Sequence, residues 1–167
     1  PAWVEEGPGN FFLENLGPTG PGGAYRFAEV SAAVGLANPP VTSRPEGAQF
    51  ADVDFDGDVD LFSNGTLYRN VSSRGTPRFE PLAVATSGIG LPGSLDEGAS
   101  FIDYDLDGDD DLFIVYTNHG VRIWENLGDG TFFAADQAIV DDALIGLNLG
   151  LSAEDWDNDG DVDITNE

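Results

Sequence analysis

"FADVDFDGDVDLF", residues 50–62, sets five aspartates into nine positions between two phenylalanines, in a stretch that otherwise reads as β-strand. Two carboxylates ~5 Å apart repel by about 0.8 kcal/mol even in water, so such crowding calls for a counter-charge. The spacing is D-x-D-x-D-G-x-x-D. Carboxylates at positions 1, 3 and 5 converge if the chain curls tightly, and glycine at position 6 permits the bend. Position 7 offers a backbone carbonyl and position 9 a further carboxylate. That is the oxygen-rich shell a hard cation such as Ca²⁺ takes.

The same loop occurs three times. "DVDFDGDVD" starts at Asp52, "DYDLDGDDD" at Asp103 and "DWDNDGDVD" at Asp155, at intervals of 51 and 52 residues. A second marker, the asparagine of "LEN", "LYRN" and "IWEN", falls at Asn15, Asn70 and Asn126, at intervals of 55 and 56. Two independent markers at one period indicate an internal repeat. Each loop is expected to hold one calcium ion, about three in all. The ligands expected are Asp52, Asp54, Asp56, the Asp58 carbonyl and Asp60 in loop one. Loop two offers Asp103, Asp105, Asp107, the Asp109 carbonyl and Asp111, and loop three Asp155, Asp157, Asp159, the Asp161 carbonyl and Asp163. Asp110 and Glu154 need not touch the ion. Mg²⁺ prefers fewer carboxylates and more water. Zinc is disfavoured by the absence of cysteine and the single histidine.

Around each loop the order is constant. A small-residue approach strand ("EGAQFADVD", "EGASFIDYD", "LGLSAEDWD") leads in, and an apolar strand ("DLFSNG", "DLFIVYTN", "DITNE") leads out. A tight turn follows, Asn64-Gly65 or Asn118-His119-Gly120. Asn-Gly between apolar runs signals a hairpin because both residues tolerate positive φ. A return strand ("TLYRN", "VRIWEN") and an outer strand ("RFEPLAV", "TFFAAD") close the unit. Four strands per ~50 residues is the size of a propeller blade. Leu112–Tyr116 is apolar on both faces, and its partner strand carries Val121 and Ile123 on one side and Trp124 on the other, as sheets stacked between sheets require. The Pro/Gly-rich stretches 16–25 and 35–47 read as surface loops, with one short helical turn in "FAEVSAAVGL" before the second.

The fold class expected is therefore all-β: about three four-stranded propeller-type blades with calcium loops, incomplete as a closed ring. The array divides into a partial unit 1–46, repeats 47–97 and 98–148, and a partial unit 149–167. An EF-hand is the competing use of this loop. It needs a bidentate glutamate at position 12, where Ser63, Ile114 and Asn166 stand, and helices rather than β-formers beside the loop. Dockerin-type and thrombospondin-type calcium repeats have much shorter periods.

Composition bounds the partners. Six basic against 31 acidic residues give a net charge of −25, which argues against nucleic acid and anionic membranes. No apolar run approaches the ~18 residues of a membrane span. The chain starts at Pro1 and reads as processed or as a segment of a longer one. His119 reads as a turn residue rather than a base. Because the paired acids are committed to metal spacing, no enzyme activity is expected. Asn64 and Asn70 head formal glycosylation sequons, and Thr42 and Ser43 are candidates for O-linked sugar. Of Trp3, Trp124 and Trp156, the last two are expected in the core.

The stretch "GASFIDYDLDGDDDLFIVYTNHGVRIWENLGDGTFF", residues 98–133, resembles an FG-GAP/VCBS repeat, the blade of integrin-α-like β-propellers. "YRFAEVSAAVGL", residues 25–36, is similar to the segment following the last blade strand in bacterial proteins of the ASPIC/UnbV-associated type. The resemblance implies calcium on the loop aspartates, an extracellular, secreted or cell-surface location, and a role in adhesion or surface structure. Phe50-Ala51 and Phe101-Ile102 stand where integrin repeats carry Phe-Gly, so integrin-type ligand recognition is not carried over. Family propellers close with more blades than this chain supplies. "DVDITNE" of one molecule is thus expected to pair with "FFLENLG" of another, building a filament or matrix head to tail. The alternative is a fragment of a larger secreted propeller, acting as an adhesion module for a protein or carbohydrate ligand.

Overall fold

The computed structural model describes residues 12–36, 48–90, 96–116, 120–138 and 151–166. The Asn118-His119 turn tip, Trp3, Thr42 and Ser43 lie outside them. Twelve strands and one helical turn are described, and every pairing is antiparallel. The all-β expectation holds, and among the described residues the sheets do not close into a barrel.

Two complete four-stranded meanders form the centre. The first runs β3 (Ala48–Ala51), β4 (Asp60–Ser63), β5 (Thr66–Asn70) and β6 (Phe79–Pro81). The second runs β7 (Asp96–Ile102), β8 (Asp111–Tyr116), β9 (Gly120–Asn126) and β10 (Phe132–Ala138). A two-stranded sheet lies at each end: β1 (Leu13–Pro18) with β2 (Tyr25–Glu29), and β11 (Leu151–Glu154) with β12 (Asp163–Asn166). In repeat order, β11–β12 is the first half of a four-stranded unit and β1–β2 the second half.

The sheets stack face to face through three apolar layers. Phe12, Val30, Val34 and Leu36 pack on Leu61, Tyr68 and Phe79 of the first meander. Phe62 and Leu67 meet Leu112, Ile114, Tyr116 and Trp124 of the second. Phe113, Val115, Val121 and Ile123 face Leu151 and Ile164 of the far two-stranded sheet. All six residues of β8 are buried, alternate side chains entering opposite layers, as a strand between two sheets requires. The half-sheets therefore pack on opposite sides of the two meanders.

The Asn64-Gly65 turn has φ of 50° and 69°, the left-handed pair of a tight hairpin. Two expectations need correction and one is narrowed. The outer strand of the first meander ends at Pro81 rather than Val84, and α1 (Val84–Ser87) follows, ended by left-handed Gly88. In "FAEVSAAVGL", Phe27–Glu29 belong to β2, and the turn occupies residues 31–35, closed by the Leu36 N–H to the Ser31 carbonyl at 2.8 Å. Trp156 is 73% exposed instead of buried, because the layer that covers its counterpart Val53 has no equivalent beyond β12 among the described residues.

The two turns do the same job. Gly35 (φ 87°) lies on the Phe79 carbonyl and Gly88 (φ 79°) on the Phe132 carbonyl, so closely that a Cβ at either would overlap that oxygen. Each turn thus seats one outer strand against the first residue of the next.

Candidate metal centres in the acidic loops

Each acidic loop bridges the first two strands of its unit and takes one local shape. Position 4 is left-handed in all three: Phe55 (φ 56°), Leu106 (φ 63°) and Asn158 (φ 62°). A non-glycine residue there costs ~1–2 kcal/mol, so its threefold recurrence marks a conformation the site demands. The glycine at position 6 follows at φ 93°, 104° and 100° in Gly57, Gly108 and Gly160. Backbone N–H groups then organise the carboxylates. Gly57, Gly108 and Gly160 donate to Asp52, Asp103 and Asp155 at 3.0, 3.1 and 3.1 Å. The position 7 N–H of Asp58, Asp109 and Asp161 donates to Asp56, Asp107 and Asp159 at 2.9, 3.1 and 3.2 Å.

The curls bring together Asp52, Asp54 and Asp56 in loop one, Asp103, Asp105 and Asp111 in loop two, and Asp155, Asp157 and Asp163 in loop three. In each triad one oxygen per residue lies within 4.8 Å of the others. These groups could hold a metal ion. Asp60, Asp107 and Asp159, expected beside them, fall outside the triads, the last two while accepting the position 7 N–H. A fit to a hard cation has independent support: Asp103 Oδ1 and Asp109 Oδ1 are buried with no hydrogen-bond partner. The donors are all oxygen, which suits calcium rather than zinc.

Position 9 has a second duty. Asp60 accepts the Val53 N–H at 3.3 Å and the Asn70 N–H at 2.6 Å. Asp111 accepts the Tyr104 N–H at 3.4 Å and the Asn126 N–H at 2.8 Å. One carboxylate thereby fastens the loop to the return strand. Both side chains are buried, and burial pushes Asp111 up to about 7 and raises Asp60, partly offset by those N–H donors. Asp109 is raised to about 6 by burial and then by Asp107. Burial, followed by the Asp103 carboxylate, also raises Asp110. Burial thus disfavours the ionised form of these four carboxyls in loops one and two.

Two features were missed in the sequence. The repeated asparagine carried a signal, its period, without a role. Asn70 donates its side-chain amide to the Val59 carbonyl at 2.9 Å, and Asn126 to Asp110 at 3.3 Å and across the sheets to Val53 at 2.9 Å. The Asn70 amide is thus engaged within the fold. Arg69 pairs with Asp54 at 3.1 Å, and its only sequence signal was being one of six basic residues.

Among the described residues, no helix is long and apolar enough to cross a membrane. No curated protein matches the chain. A family of FG-GAP-like repeats does match, over residues 103–165, from the first aspartate of loop two into β12. The match covers loops two and three, and loop one repeats their curl outside it. Residues 103–165 are thus similar to FG-GAP-like repeats.

Proposed function

We propose that the chain is a calcium-binding, propeller-like repeat protein with a structural, non-catalytic role outside the cell. The observation that carries this reading is the threefold recurrence of one strained curl, each gathering three carboxylates within 4.8 Å. A divalent ion in each curl converts mutual repulsion into attraction and braces the first two strands of the unit. Asp52, Asp54 and Asp56 in loop one, Asp103, Asp105 and Asp111 in loop two, and Asp155, Asp157 and Asp163 in loop three hold the ion. The position 9 aspartates connect it to the return strand. Calcium titration by calorimetry tests the reading: about three sites of ~10⁻⁴–10⁻³ M are expected, typical of extracellular modules. Absence of heat, together with a melting curve indifferent to a chelator, overturns it.

The two half-sheets favour a second element. β1–β2 exposes Leu13, Tyr25 and Phe27 at 56%, 65% and 59%, and the loop between β11 and β12 exposes Trp156, at opposite ends of the stack. Joining β12 of one copy to β1 of the next completes a four-stranded unit and covers both patches. Repeated, this heterologous contact grows a filament. Light scattering in millimolar calcium tests it, and a strictly monomeric species refutes it. A monomer that retains a protein or carbohydrate ligand supports the adhesion module instead.

A further inference from the structure

We infer that Arg69 is a resident counter-charge at loop one: it holds the first meander against the second when no metal is bound, and it makes loop one the weakest of the three cation sites. The inference rests on the reading of the loops as calcium sites.

The geometry is specific to loop one. Arg69 Nη2 lies 3.1 Å from Asp54 Oδ2 and donates to the Asp129 carbonyl at 3.2 Å. Asp54 belongs to the loop one triad, whereas Asp129 sits in the β9–β10 turn of the following sheet. One guanidinium nitrogen thus joins an acidic loop to the neighbouring unit. The turn is shaped for the approach: a Cβ on Gly130, at φ 75°, would stand 2.7 Å from Arg69 Nη2, 3.3 Å from the Asp54 Cβ and 3.4 Å from Val53 Cγ2. The Asn126–Val53 hydrogen bond crosses the same junction.

The other loops have no such partner among the described residues. Among the described residues the ion pairs are Arg69–Asp54 and Arg78–Glu80, and neither Asp105 nor Asp157 takes part in one. The position of Arg69, one residue before the repeated asparagine, is Glu125 in the second meander, where it accepts the Tyr104 hydroxyl at 3.3 Å. With one Asp54 oxygen on Arg69, the other remains for the ion. A divalent cation and a guanidinium ~6 Å apart in a watery dielectric repel enough to lower affinity about tenfold.

Nuclear magnetic resonance tests both halves, because each loop carries one glycine amide, of Gly57, Gly108 or Gly160, that reports its own occupancy. In the wild-type chain, Gly57 is expected to saturate last as calcium is added. In Arg69→Gln, the loop one affinity rises about tenfold while Gly108 and Gly160 keep theirs, and Arg69→Lys, which retains the charge, stays near wild type. In chelator, hydrogen exchange over residues 127–131 is expected to quicken in Arg69→Gln. Unchanged exchange there overturns the clasp, and Gly57 saturating no later than the others overturns the affinity order. The wild-type titration needs no substitution, so it decides even if a variant fails to fold. Should no glycine amide respond to calcium, the calcium reading and the affinity order fall together, and the exchange result alone judges the clasp.

Discussion

The side-chain amide of Asn126 donates to the backbone carbonyl of Val53, 2.9 Å away and 73 residues earlier in the chain. Val53 is position 2 of loop one, and Asn126 ends β9 of the next sheet. The same asparagine is held from within its own unit, its N–H on Asp111 at 2.8 Å and its amide also on the Asp110 carbonyl. One buried side chain therefore links two acidic loops in successive units.

Replacing Asn126 with alanine removes the side-chain amide, keeps the backbone N–H on Asp111, and leaves the buried Val53 carbonyl unpaired. A loss of about 2–3 kcal/mol is expected. Urea unfolding followed by tryptophan fluorescence checks it, and a loss below about 0.5 kcal/mol would show that water replaces the amide freely.

Two glycines of similar backbone separate conformational strain from close packing. At Gly57 (φ 93°) an added methyl would have nothing within 4 Å, whereas at Gly88 (φ 79°) it would meet the Phe132 carbonyl. Gly57→Ala should cost ~1–2 kcal/mol from the left-handed backbone alone. Gly88→Ala should cost at least about 2 kcal/mol more, since the α1 turn must lift off β10. Equal losses in parallel thermal melts would refute the seating of that turn.

Protonation gives the metal-free protein a definite pH profile. The folded-state pKa values of Asp111 and Asp109, about 7 and about 6, lie above the ordinary 3.8, and Asp60 is raised too. A raised carboxyl contributes stability that is complete below its unfolded pKa and lost as pH climbs through the folded value. In chelator, the melting temperature should therefore fall between pH 4 and pH 7 and be lower at pH 8 than at pH 5. Calcium, which favours the ionised carboxylates, should raise it more at pH 8. Calorimetry at the two pH values checks both, and a chelated protein more stable at pH 8 contradicts the burial argument.

Asn15 holds the place in β1 that Asn70 and Asn126 hold in β5 and β9, yet no loop stands beside it among the described residues: its Oδ1 accepts the local Gly17 N–H at 2.9 Å. If β12 of another copy completes the unit, Asn15→Ala should weaken self-association about tenfold or more while leaving the monomer's melting temperature within a degree or two. Sedimentation in calcium distinguishes this from a loss of stability, which would make the residue merely structural.

The repeat, the Asn64-Gly65 hairpin turn, the two-faced burial of β8 and the acidic curls were all legible in the residues, because each rests on local spacing: a period of two along a strand, glycine where φ turns positive, carboxylates on alternate positions. What escaped were relations between units. That Trp156 stands exposed while Val53 at the same loop position is buried follows from which sheet lies beyond each. That the α1 turn after Pro81 is seated by Gly88 on Phe132 is likewise a contact far along the chain. The roles of Asn126 and Arg69 also depend on partners 73 and 60 residues away. Local spacing sets which backbone shapes a segment can adopt; only the stacking of the sheets sets which buried carbonyl or carboxylate a side chain meets, since that proximity is created by packing.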